Sequence, residues 1–186
     1  MREKVEVQLA LAHRNKLLVR FARPFEQGSV NGYVLDIGPR FFLMAVQGND
    51  GVRLNGFSCF RLADVRKLNV PDRYAAFLEA ARKKLGVRVP GRPQVDVDNI
   101  NELLLSANRR FPLVTIHREQ VYRGVCHIGR VIEVSKGSLS LLEIGPDASW
   151  DKKPESYRLS EITRVDFGGG YEEALHLVGG MPKKFH

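Results

Sequence analysis

Phe60-Arg61-Leu62-Ala63-Asp64-Val65-Arg66-Lys67-Leu68 returns 97 residues later as Tyr157-Arg158-Leu159-Ser160-Glu161-Ile162-Thr163-Arg164-Val165. The same offset pairs Gly32 with Gly129, Val34 with Val131, Asp36 with Glu133, Gly48 with Gly145 and Tyr74 with Tyr171, without a gap. A fixed internal period is the mark of a duplicated structural unit. In each copy an apolar-rich run meets a short acidic corner, Ala63-Asp64 or Ser160-Glu161, and a second short run follows. This reads as strand, tight corner, strand.

Working outward, copy one shows Leu17-Leu18-Val19-Arg20-Phe21, then Gly32-Tyr33-Val34-Leu35-Asp36-Ile37, with Gly38-Pro39-Arg40 as turn chemistry. Phe41-Phe42-Leu43-Met44-Ala45-Val46 is a continuous apolar run, broken by Gly48-Asn49-Asp50-Gly51. In copy two, Gly129-Arg130-Val131-Ile132-Glu133-Val134 precedes the hairpin signal Ser135-Lys136-Gly137, and Ser138-Leu139-Ser140-Leu141 alternates with period two. Five short strands per copy suit a small, strongly bent barrel, with glycines where the strand curves. The fold class expected is mainly β with accessory helices, as two tandem five-stranded small barrels. The expected division is residues 1–86 for the first barrel with its C-terminal helix and 87–97 for a Pro/Gly linker. Residues 98–186 make the second barrel, with a lead helix and a short terminal helix.

Between the copies, Pro71-Asp72 opens a helix over 73–85 that Gly86 stops. Its Tyr74, Phe77, Leu78, Ala81 and Leu85 share one face. Asp98-Asn99 caps a helix over 100–108. For residues 3–13, Val5, Val7, Leu9 and Leu11 alternate like a strand, whereas the repeat asks for a lead helix. The repeat is given the greater weight. Gly168-Gly169-Gly170 reads as a hinge into a terminal helix, and the tail 181–186 as loose.

Composition narrows the function classes. Residues 1–93 carry 17 Lys/Arg against 8 Asp/Glu, whereas residues 94–186 carry 12 against 13. The surplus of positive charge, +8 overall, thus sits in copy one. That copy is the candidate for an anionic partner, though solubilising surface charge is an equal reading. Cys59 and Cys126 do not correspond under the repeat, so a disulfide framework is not expected and a reducing cytoplasm is the simpler reading. No apolar run reaches the roughly 18–20 residues of a membrane helix, and the N-terminal stretch is too charged for a signal-peptide core. No nucleophile-elbow, metalloprotease or phosphate-loop motif is present. His117, Cys126 and His127, with Glu119 nearby, match no zinc spacing and read as strand-borne histidines. No cofactor and no metal are expected.

The bent strands at Gly32-Tyr33-Val34-Leu35 and Gly129-Arg130-Val131-Ile132, with the two strand-corner-strand elements, resemble the Sm-like fold, the family of Sm, LSm and bacterial Hfq proteins. A general SH3-like barrel satisfies the same pattern. In Hfq the closing element carries an aromatic-Lys-His triplet whose basic residues touch RNA. Here the triplets are Phe60-Arg61-Leu62 and Tyr157-Arg158-Leu159, with the base kept as arginine and histidine replaced by leucine. The Sm base-gripping aspartate and asparagine have no asparagine counterpart after the second strand. The resemblance implies a cytoplasmic, bacterial, non-enzymatic protein binding RNA or another single-stranded nucleic acid through the basic first barrel. The residues expected at that interface are Arg20, Arg40, Arg53, Phe60, Arg61, Lys67, Tyr157 and Arg158. It also implies a homo-oligomer through barrel edge strands, because in the family the fourth strand of one barrel pairs with the fifth of the next. The alternative is a protein-interaction module with no nucleic-acid role.

Overall fold

The computed structural model describes residues 2–182, the side chain of Arg2 excepted. The last four residues of the tail expected to be loose lie outside them. In chain order, α1 (Arg2–Asn15) leads into β1 (Leu18–Ala22), β2 (Ser29–Ile37), β3 (Phe41–Gln47), β4 (Leu54–Arg61) and β5 (Arg66–Asn69), followed by α2 (Ala75–Leu85). Then α3 (Ile100–Arg110) leads into β6 (Val114–His117), β7 (Cys126–Ser135), β8 (Ser138–Glu143), β9 (Glu155–Arg158) and β10 (Arg164–Phe167), followed by α4 (Gly170–Gly179). One 3-10 turn, Leu62–Asp64 or Leu159–Glu161, forms each acidic corner.

The chain is mainly β, and its ten strands make a single antiparallel sheet in the order β5-β1-β2-β3-β4-β10-β6-β7-β8-β9. Each half keeps the spatial order fifth, first, second, third, fourth. The halves join where Phe60 of β4 faces Arg164 of β10. The sheet is open, with β5 and β9 at its ends, so its strand pairing does not close the two barrels the sequence suggests. The repeat unit by itself leaves the outer side of β4 as an open edge of peptide groups. β10 satisfies it, and hydrogen bonding runs on through the middle of the chain.

The repeat is visible in the backbone. Gly32 lies opposite Val46 and Gly129 opposite Glu143, and each strand bulges a few residues on, at Val34/Asp36 and Val131/Glu133. A Cβ on Gly32 would press into the Ala45 carbonyl, and one on Gly129 into the Leu142 carbonyl. Only glycine lets the neighbouring strand come so close.

Residues 41–45 are all buried because both faces of β3 are covered. Phe42 and Met44 face a core with Phe21, Phe60 and the α1 residues Leu9 and Ala12. Phe21 meets Phe42 and Phe60 edge-on at 5.6 and 5.3 Å. Phe41 and Leu43 face a second core shared with Val114, Ile116, Leu139 and Phe167 of the other half. Residues 3–13 are helical, as the repeat asks. Leu9 and Ala12 are buried while Val7 and Leu11 point outward, so strand-like alternation is not what this segment buries.

The remaining expectations need two corrections. The stripe expected on α2 is rotated: Leu78 is buried as expected and Ala81 half-buried, but Ala75 and Arg82 are buried in place of Tyr74, Phe77 and Leu85, which are exposed. Arg82 donates to Val52 O, Tyr33 Oη and Gln47 Oε1, polar groups that a wholly apolar stripe would leave unsatisfied. Residues 87–97 lack regular structure but do not hang free. Val95 and Val97 enter the second core, and Arg92 bonds Asp36. Asn99 caps α3 by accepting from the amides of Asn101 and Glu102. Among the described residues no helix is long and apolar enough to cross a membrane.

Candidate nucleic-acid interface

The acidic corner of the first half builds a basic recess. Leu62 N donates to Arg40 O at 2.9 Å, fastening the start of β3 to the corner. Arg61 donates through Nε and Nη2 to both carboxylate oxygens of the buried Asp64, at 2.7 and 3.1 Å. Arg66 folds its Nη1 onto the carbonyls of Ala63 and Val65, at 2.8 and 2.9 Å. Together with Gln120 of the other half, these residues line an open cavity of about 390 Å³. Asp64 neutralises Arg61. Arg40 and Arg66 are exposed and make no ion pair among the described residues, so the recess carries two uncompensated cations. Such a recess suits phosphate oxygens, which accept from several guanidinium donors at once.

The second corner repeats the backbone but not the charge. Leu159 N donates to Gly137 O at 3.0 Å, the counterpart of the Leu62–Arg40 bond. Gly137 stands where copy one has Arg40, and Thr163 where it has Arg66. Glu161 there is taken by Arg118 at 2.9 Å, and Arg158 lies exposed 3.9 Å from it.

The structure therefore divides the eight residues singled out from the sequence. Arg40 and Arg61 come together, with Arg66 between them. Arg20 lies elsewhere, paired with Asp72 at 3.2 Å. Arg53 is exposed in the β3–β4 turn beside Asp50. Lys67 and Arg158 sit on the terminal strands β5 and β9. Phe60 and Tyr157, also expected at that interface, are both buried. Phe60 lies under the guanidinium groups of Arg23 and Arg164, 5.0 and 5.1 Å from its ring centre. Tyr157 is held by Glu143 and His127 beneath Arg118. Burial, then the bond to Glu143, push its phenol well above the ordinary value. Neither ring offers a free face to a base.

A buried ionic seam, which the sequence reading missed, runs through Glu119, the residue before Gln120. Arg23 has a fully buried side chain and grips Glu119 with Nη1 and Nη2 at 3.0 and 2.5 Å. Its Nη1 also reaches Glu26 at 2.7 Å. Thr163 Oγ1 donates to Glu119 at 2.6 Å. Burial alone would raise the Glu119 carboxyl, but the bonds from Arg23 and Thr163 outweigh it and lower it. Arg164 joins Asp166 at 2.7 Å and Glu26 at 3.2 Å, and His117 bonds Asp166 at 2.8 Å. Asp166 is likewise lowered: the Arg164 charge and the His117 bond overcome full burial. These partners are separated in sequence by up to 138 residues, so no local motif announces them. The offset supplies one signal, because Arg164 stands where copy one has Lys67.

His117 and His127 are spent on different carboxylates, and among the described residues no cluster of three or more His, Cys, Asp or Glu could hold a metal ion. Comparison of the chain with protein-family models, with curated proteins and with solved structures finds no match in any of the three.

Proposed function

We propose that this chain is a non-enzymatic protein that binds single-stranded nucleic acid, RNA foremost, through the recess at Arg40, Arg61, Arg66 and Gln120. The observation that carries this reading is the convergence of three arginines on one open cavity, with a single carboxylate among them. The asymmetry of the two corners agrees with it, since the repeated backbone keeps its arginine cluster in copy one only. The repeated strand order, each half preceded by a helix, supports reading residues 1–86 and 98–186 as two Sm-like units joined by residues 87–97. Fluorescence anisotropy with labelled oligouridylate over a range of salt tests the function. Single-strand affinity falls with a log–log slope of about −0.7 per phosphate contacted. Arg40→Ala and Arg66→Ala are each expected to weaken binding and flatten that slope by about 0.7, while Arg158→Ala leaves it nearly unchanged. No binding by folded protein at low salt would end this reading.

One observation favours assembly as a second reading. β4 already pairs with β10 inside the chain, and under the repeat the open strands β9 and β5 stand where β4 and β10 stand. Transferring that register to two chains places Lys67 opposite Tyr157, as Arg164 lies opposite Phe60. Light scattering that shows a monomer at every concentration would remove this reading.

A further inference from the structure

A second cavity lies at the far end of β3 from the basic recess, on the seam between the halves. Arg40 precedes β3 and Gly48 follows it, so the two sites are separated by seven strand residues, roughly 23 Å. The seam cavity measures about 490 Å³ and is lined by Arg20, Glu26, Gly28, Asn31, Gly48 and Arg164, among others. A smaller recess of about 170 Å³ shares Gly48 and Arg164 with it and adds Ser58, Asp166 and Glu172. A combined space of this size suits a small ligand.

Its polar groups are only partly spent. Asn31 Nδ2 donates to Asp72 at 3.2 Å, whereas its buried Oδ1 has no partner. Flipping the amide would set that oxygen against the Asp72 carboxylate, so the acceptor stays on the orphan side. Ser58 is 1% exposed and its Oγ is also unpartnered. Arg20 gives Nε to Asp72, and Arg164 gives Nε to Asp166 and Nη1 to Glu26. Both Nη atoms of Arg20 and Nη2 of Arg164 carry no bond among the described residues. Buried polar atoms without partners are costly and rare in folded proteins. Here Asn31 lines the larger cavity and Ser58 the smaller recess, and Arg164 lines both.

We propose that the seam cavity binds a phosphorylated sugar, free or as part of a nucleotide. The guanidinium N–H groups that Asp72, Asp166 and Glu26 leave free can only donate, which calls for a ligand rich in acceptor oxygens, such as a phosphate monoester. Asn31 Oδ1 can only accept and Ser58 Oγ can do either, which calls for hydroxyl groups on the same molecule. Inorganic phosphate supplies the charge without the sugar hydroxyls. This site is independent of the basic recess, and its variants leave Arg40, Arg61 and Arg66 untouched.

Isothermal titration of the full chain with ribose 5-phosphate, adenosine 5′-monophosphate and inorganic phosphate tests it. Arg20→Met keeps the apolar stem and removes the donors. Gly28→Phe fills the cavity from a position where an added Cβ meets nothing within 4 Å, and thermal melting verifies that it folds. The expected result is saturable binding of ribose 5-phosphate, weakened at least tenfold by either variant and at least tenfold tighter than inorganic phosphate. Equal affinity for the monophosphate means that sugar and phosphate suffice; a tenfold tighter monophosphate means a nucleotide ligand. The proposal is overturned if neither organic phosphate binds, if inorganic phosphate binds as well as they do, or if the folded variants bind unchanged.

Discussion

Glu119→Leu removes the acceptor that holds Arg23 in the seam. The Arg23 side chain is fully buried, and two of its three carboxylate bonds go to Glu119, at 3.0 and 2.5 Å. The substitution leaves Glu26, itself a quarter exposed, as the remaining counter-ion, and takes from Thr163 Oγ1 its carboxylate partner. Breaking one side of a buried pair costs about 3–5 kcal/mol, because the surviving charge is stranded away from water. The remaining Glu26 bond places this case near the lower figure, about 3 kcal/mol. For a chain of this length that lowers Tm by roughly 6–12 °C. Urea unfolding followed by circular dichroism gives the free energy directly. The double variant Arg23→Met with Glu119→Leu is the decisive companion. Removing both charges and keeping the volume apolar should restore most of the loss, since the penalty comes from the unpaired ion. A single variant that loses less than about 1 kcal/mol, as an exposed pair would, refutes the reasoning. So does a double variant as unstable as the two singles added together.

Two further outcomes follow from the same geometry. Glu119 and Asp166 titrate below their ordinary values in the folded chain, so their stabilisation is complete above the unfolded value of about 4 and is lost as pH falls through the folded values. Urea midpoints should therefore drop steeply below about pH 4, and less steeply in Glu119→Leu; a midpoint flat from pH 5 to 3 would contradict this. Gly32→Ala and Gly129→Ala should each destabilise by about 1–3 kcal/mol, because either Cβ must displace the neighbouring strand. Thermal melts showing one harmful and one neutral substitution would mean that the two glycines do not hold equivalent places.

What was legible in the sequence was whatever the repeat carries in register: the glycine close approaches, the acidic corners and the lead helix that local alternation alone would have made a strand. The internal offset is a tertiary signal, because both copies answer to the same packing. What was not legible depends on groups distant in sequence. Arg82 falls outside the apolar face read for its helix, yet it is buried because Tyr33, Gln47 and Val52 O need a donor. Phe60 and Tyr157 read as part of an RNA-binding triplet, yet each is sealed beneath arginines, all three of them contributed by the other half or a distant loop. The basic recess was half visible. Arg40 and Arg61 were named, but Gln120 reaches it only because β10 joins β4, and no residue near Gln120 signals that.

The most direct test of the central claim is where nucleic acid touches the chain. Photocrosslinking a 4-thiouridine-containing oligonucleotide to the intact protein, followed by peptide mass spectrometry, reads that position. The account predicts crosslinks concentrated at residues 40, 61–66 and 120, and lost together in Arg40→Ala/Arg66→Ala. Crosslinks concentrated on the second corner around Arg158, or spread without preference and unaffected by those substitutions, would contradict it.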